Sequence, residues 1–594
     1  VLPDLRTLGI HAWRFPVKRI PARPDPDHLR KQAKQLLADY RRGHPEALDR
    51  FRTHLPAARG ATDKTLAALD LRLHDAQSCL AREHGLARWT DLMGFVEARL
   101  AQTADPAEAR RQWYRLVYAG DVTGGMQSPQ PAVAARLLES SGPSADGHDD
   151  DPWLACATGD LARLARAVAD DPGWLHRAGG PLALPPLVAV THSSLLRLPG
   201  FRDRLRACAQ WLLDAGADPD AGIGSRWPPD SLQTPSDQHR LSALYGAAGR
   251  NRDAQLTQRL LQAGANPNDG ESLYHALESP ACTQRLLEAG ARIAGTHALY
   301  RVLDLDRLDV LNALLAHGAD PNEAPPGESA ATAWGHPLLW AIRRRRSAAH
   351  IEALLKAGAD PAVRTADGTD AATLALNFGL PEIARRLEQA GIHPQDTPVQ
   401  RFLAACARGD EAAARQWQER HPDLPHSLSP PHLRLLPELA AQGCREAVAC
   451  MARLGWPIAV AGGDWSASAL NQAVFRGDAA MTRLLLEHGA SWTERHAYDD
   501  DCSGTLSWAS CNVANDRPDD SAGPDDTDAA DVFERPDAHG GGDWLGCAQA
   551  LVDHGMPGAQ PDPQDAQTVL HQGRRMRFAE DVADFLLAAG ARGH

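Results

Sequence analysis

The stretch LLAHGADPN, Leu314 to Asn322, returns in close variants along most of this 594-residue chain. WLLDAGADPD ends at Asp220, LLQAGANPN at Asn268, LLEAGA at Ala291, LLKAGADP at Pro361, LLLEHGA at Ala490 and FLLAAGA at Ala591. Each variant reads as the close of a helix. A buried apolar pair is followed by a glycine that takes the left-handed conformation cheaply. In the fuller copies Asp or Asn then precedes a proline, which cannot continue the helix. Gly358 and Gly391 lie 33 residues apart, Gly455 and Gly489 34, and Gly555 and Gly590 35, while other intervals scatter around this value or its double. Such a period specifies an array of small units, none of which buries its apolar face without a neighbour.

One unit shows how the residues specify the fold. In SALNQAVFRGDAAMTRLLLEHGA, Ser468 is placed to cap a short first helix with Leu470, Ala473 and Val474 inward. Gly477 and Asp478 break that helix, and a second one carries Met481, Leu484 and Leu485 at spacings of three and four. Gly489 ends it.

This pattern resembles the ankyrin repeat. Ala469 to Gly489 has the family's spacing between its PL slot and its closing glycine, and DGTDAATLALNFGLPEIARRLEQAG (Asp367 to Gly391) matches it too. The family's TPLH is never intact; SALY, ESLY, HALY, HPLL, DAAT and SALN stand in its place. The resemblance implies an all-α fold, an ankyrin-repeat solenoid of helix–turn–helix units, with about twelve degenerate repeats over residues 153–592. It also implies non-catalytic protein binding through a concave groove lined by the ends of the first helices. Arg250, Arg343, Arg344, Phe378, Phe475 and Arg476 fall in that region and are the candidate groove residues. Arg343 to Arg346 form the strongest charge run, able to hold a carboxylate or phosphate of a partner, and phenylalanines there suit a peptide. Tyr245, Tyr274 and Tyr300 share the H slot of TPLH in three successive units, which suits either a stacking ladder for a ligand or, better, rings packed between repeats with hydroxyls bonding neighbouring turns.

Residues 1–24 read as a basic arm with Arg14, Lys18, Arg19 and Arg23, interrupted by prolines and without the apolar centre of a signal peptide. Residues 25–100 read as a helical N-terminal cap domain: Asp27 caps a helix with Leu29, Ala33, Leu36, Leu37 and Tyr40 on one side, and Pro45 starts another. LHDAQSCLAREHGLARWTDLMGFVEARL places two further helices around Gly85, a spacing also used by DNA-binding modules. TDLMGFVEAR, however, sets Asp91 and Glu97 against Arg99, a poor surface for phosphates and base edges. Residues 101–152 hold a helix and a Gly/Pro/Ser-rich linker. Residues 512–543, dense in Asp and Gly, read as a disordered acidic insertion within one repeat, without the ligand spacing of a calcium loop.

A formal charge of -14 opposes general binding to nucleic acid or anionic membranes. No window approaches the roughly 18 apolar residues of a membrane helix. Ten scattered cysteines with no CxxC pair argue against a disulfide framework and point to the cytoplasm. The sequence carries no phosphate-binding loop, dinucleotide fingerprint, GxSxG or HExxH. One dense polar cluster remains: His496, Asp499, Asp500, Asp501, Cys502 and Cys511, with His539 near the end of the insertion and Cys547 and His554 beyond it. Its spacing is not that of zinc ligand pairs. The expectation is therefore a cytoplasmic, bacterial-type scaffold for a protein or peptide partner, with no cofactor and no metal. The alternatives are a host-directed secreted effector on the same fold, or an enzyme or metal-binding protein with its site in 495–560.

Overall fold

The computed structural model describes residues 18, 20, 21, 24–69, 71–102, 106–125, 127–141, 151–324, 335–512, 542–565 and 568–592. Most of the basic arm, part of the linker, and most of the acidic insertion, His539 included, lie outside the described residues. The chain divides into two compact units, one running to Arg292 and the other beginning at Ile293.

In the first unit, the opening helix Pro26–Arg41 buries the expected Leu29, Ala33, Leu36, Leu37 and Tyr40. Its cap is Asp25 rather than Asp27: the Asp25 carboxylate accepts from the backbone N–H of Asp27 and His28, because Pro26 already occupies the first helical position. Helices Pro45–His54, Leu73–Glu83 and Trp89–Gln102 follow as the sequence implies. Glu83, nearly buried, holds Lys18 at 2.6 Å and also pairs with Arg50. The stretch read as linker contains two substantial helices, Pro106–Val117 and Pro131–Ser141; the Trp113 indole donates to the Ala134 carbonyl at 3.0 Å and joins them.

From Pro152 onward the described chain is a succession of antiparallel helix pairs: four in the first unit, and seven followed by a single helix in the second. Asp and Ser cap both members of many pairs. The Ser468 hydroxyl accepts from Asn471 N–H at 3.3 Å, and the Asp478 carboxylate from Met481 N–H at 3.0 Å. The closing glycines behave as the sequence demands. At Gly318, φ is +86°, Gly318 N–H bonds to the Leu315 carbonyl at 3.1 Å and Ala319 N–H to that of Leu314 at 3.0 Å, the paired closure of a Schellman motif.

The residues after the glycine do more than turn the chain. The Asp320 carboxylate accepts from Asn322 N–H two residues on, at 2.9 Å. Asn322 then reaches the next repeat, accepting from Asp360 N–H at 2.7 Å and donating to the Gly358 carbonyl at 2.9 Å. Asp220 and Asn268 likewise accept from the following closures, from the N–H groups of Asn266 and Arg292, each at 2.7 Å. The final residue of ADPN is thus a clamp between successive repeats.

Gly590 departs from the pattern. It lies inside helix Glu580–Ala591, where a Cβ would sit 2.0 Å from the Ala559 carbonyl oxygen, so this glycine permits close backbone approach and closes nothing. The unit it ends has a strand hairpin, Val569–His571 with Arg574–Met576, where a first helix was expected. No helix among the described residues is long and apolar enough to cross a membrane.

Candidate functional site

The arginine run predicted to face a partner is engaged within the second unit. Arg343 ends helix Pro337–Arg343 and is 2% exposed; its guanidinium donates to Glu438 at 3.0 and 3.2 Å and to Asp464 at 2.6 Å. Arg344 bridges Asp304 at 2.6 Å and Asp464 at 2.7 Å. Both guanidiniums stand over the Trp340 ring, 5.0 and 4.4 Å from its centroid, and the Trp340 indole donates to Asp304 at 3.0 Å. Arg345 donates to the Phe378 carbonyl, and Arg346 pairs with Asp306 at 2.8 Å. Burial works against the Asp464 charge, but Arg343 and Arg344 outweigh it and hold the carboxyl below its usual range. At Asp304 burial prevails and the pKa is raised.

Arg343 and Glu438 belong to helix pairs separated by two others, 371–389 and 398–420. Repeat units ordinarily touch only their neighbours. Here charged side chains of non-adjacent pairs meet. A partner's carboxylate would have to displace Glu438 or Asp464 to reach Arg343.

Three more of the candidate side chains are taken up within the protein. Phe378 is fully buried and offers no ring to a partner. Arg250, in the first unit, pairs with the buried Asp121, which also accepts from the Tyr245 hydroxyl at 3.2 Å. Arg476 is half-buried and donates to the Ala441 carbonyl at 3.0 Å. The tyrosines of the H slot form no single stack: Tyr245 meets His275, and Tyr300 packs on Trp340 while bonding the carbonyls of Glu323 and Gly335 at 2.7 and 2.9 Å.

Phe475 is the candidate whose surroundings remain open. Its ring stacks on Trp508, centroids 5.2 Å apart and planes 14° from parallel, and tilts against Trp465 at 5.6 Å. Trp465 meets His496 at 4.8 Å, and His496 meets Tyr498 at 5.9 Å. Five rings thus form a continuous strip in which Trp508 is 53% and Tyr498 80% exposed. Trp465 occupies a hairpin tip between strands 461–462 and 467–468, and Ala497 N–H bonds its carbonyl at 3.0 Å, tying the next tip to it. Exposed, contiguous aromatic surface of this kind marks binding sites more often than it serves the fold.

The polar cluster considered for metal or catalysis is absorbed by structure. Asp501 caps helix Cys502–Asn512 through the N–H groups of Ser503 and Gly504, Asp499 pairs with Arg495, and Asp500 with Arg574 at 2.9 Å. Burial pushes the Cys502 thiol well up and that of Cys547 up to about 12, away from the thiolate that a nucleophile or a metal ligand requires. Among the described residues no group of His, Cys, Asp and Glu is placed to hold a metal ion.

No family model matches the chain, and neither does any curated protein. Among solved structures it is similar to the ankyrin repeat domain of human ASB11, at 19% identity and a TM-score of 0.30, over 41% of this chain and 99% of that one. It is also similar to the ankyrin repeat domain of Bcl-3, described as a unique member of the IkappaB protein family, at 22% identity and a TM-score of 0.31, over 40% of this chain and 99% of that one. On its own geometry of capped helix pairs, glycine closures and hairpin tips, the chain is built of ankyrin-type repeats.

Proposed function

We propose that this protein is a non-catalytic scaffold that binds a protein or peptide partner, and that the partner docks on the aromatic strip Trp508–Phe475–Trp465–His496–Tyr498. The observation that carries the reading is the exposure of Trp508 and Tyr498 at the two ends of a strip that crosses adjacent repeats. Rings on a rigid scaffold supply large contact area at small entropic cost, and such residues dominate binding energy at interfaces. The arginine run serves the scaffold and leaves recognition to the strip.

The test is affinity capture from the native lysate, comparing wild type with a Tyr498→Ala/Trp508→Ala double variant of equal thermal stability. Partner recovery is expected to fall at least tenfold, the loss of roughly 1.4 kcal/mol or more. Undiminished recovery of the same partners contradicts the strip as their docking site.

A further inference from the structure

The two repeats that build the strip carry the same aromatic pair in register. Trp465 and Tyr498 each stand three residues before the residue that caps their first helix, Ser468 or Asp501. Phe475 and Trp508 each stand seven residues after it. Both pairs are displaced by 33 residues, one repeat, so the rings recur at hairpin tip and helix end in neighbouring units.

The equivalent helix-end position in the repeat capped by His336 is Arg343. There the protein displays a complete recognition pattern inside itself: guanidiniums stacked over the Trp340 ring and paired with carboxylates, including that of Asp464 beside Trp465. In the repeats of Ser468 and Asp501 an aromatic ring replaces the arginine, and the outer rings are left exposed beside acidic side chains. The Asp499 carboxylate, next to Tyr498, is 85% exposed. The charges facing the strip are mixed: Arg495 pairs with Asp499, Arg574 with Asp500, and Arg476 bonds a backbone carbonyl. The balance is nevertheless negative. Asp464 is shared by Arg343 and Arg344, which also engage Glu438 and Asp304, so beside Trp465 three carboxylates meet two guanidiniums.

We propose that the strip takes arginine-bearing peptide segments, a guanidinium stacking on the faces of Trp508 or Tyr498 and pairing with the tip carboxylates as Arg343 and Arg344 do with Trp340 and Asp464. The proposal rests on the protein-binding reading above and names the chemistry of the partner. Arginine is selected over lysine because a planar, weakly hydrated cation satisfies ring face and carboxylate together.

The experiment uses the full chain and fluorescence polarisation with four fluorescein-labelled decapeptides. All share a Gly/Ser frame and carry three arginines, three lysines, three glutamates or three prolines. The arginine peptide is expected to bind tightest. Tyr498→Ala and Trp508→Ala are each expected to weaken it roughly 2- to 30-fold, the range of one cation–π contact. Tyr498→Ala truncates a ring that is 80% exposed, so its effect separates recognition from folding. Equal binding of arginine and lysine peptides, unaffected by either substitution, overturns the proposal in favour of attraction to net charge alone. Tightest binding of the proline peptide also overturns it, in favour of a proline-recognising strip. If no peptide binds while lysate partners still depend on Tyr498 and Trp508, the arginine proposal fails and protein binding stands. If no lysate partner is captured either, the protein-binding reading itself fails.

Discussion

Replacing Arg343 by Met removes three charge-assisted hydrogen bonds from a site where the arginine side chain is 2% and that of Glu438 5% exposed. Asp464 keeps Arg344 at 2.7 Å, whereas Glu438 keeps only the Gly463 N–H at 3.0 Å. The cost is therefore that of stranding one buried carboxylate, about 3–5 kcal/mol. A solvent-exposed pair would be worth about 0–1 kcal/mol. The double variant Arg343→Met/Glu438→Met removes the stranded charge as well and is expected to recover about 2 kcal/mol or more of the loss, since apolar replacements of buried pairs are close to neutral. Repeat arrays do not unfold in one step, so the suitable assay is native-state hydrogen exchange resolved at helices Pro337–Arg343 and Leu435–Ala441. The single variant is expected to speed exchange there about 100-fold or more, and the double variant to reverse most of that. Exchange within threefold of wild type in the single variant, or a double variant worse than the sum of the singles, refutes the reasoning.

Three further outcomes follow from the fold. Burial holds the pKa values of His54, His84, His192, His350, His432, His496 and His571 below the usual histidine range. The unfolded chain then binds protons that the folded chain does not, so stability is full above about pH 6.5 and falls as pH drops through it. A denaturation midpoint that stays constant or rises from pH 7.5 to 5.5 contradicts this. Asn322→Ala is expected to cost about 1–2 kcal/mol, seen as faster exchange around Gly358 and Asp360, because it removes the clamp between repeats. Gly590→Ala is expected to loosen helix Glu580–Ala591 by driving a methyl into the Ala559 carbonyl, while Gly489→Ala destabilises by about 1–3 kcal/mol through a φ of +94° instead. Chemical denaturation of the two variants, with exchange at the final helix, separates these causes.

The repeat was legible because its signals are local: a cap, an apolar stripe and a left-handed glycine within a dozen residues. The Asn322 clamp was less so, since its partners lie 36 and 38 residues on. Alignment on the repeat located Arg343 at the end of its first helix, but the fate of that arginine was set by Glu438 and Asp464, 95 and 121 residues away. Phe378 and Phe475 looked equivalent, yet they stand eight and seven residues after their caps, Asp370 and Ser468. On a helix one residue is about 100° of rotation, and that single step separates a buried ring from one in the exposed strip. The 33-residue recurrence of Trp465 with Phe475 in Tyr498 with Trp508 was present in the sequence. It shows only when two positions per repeat, hairpin tip and helix end, are taken together.

The central claim is that recognition belongs to the aromatic strip and the arginine run to the scaffold. Hydrogen-exchange protection of the full chain on saturation with a captured partner tests it most directly. The account expects new protection at residues 463–476 and 496–510, with 337–346 unchanged. Protection that falls on 337–346 and spares the strip would contradict it.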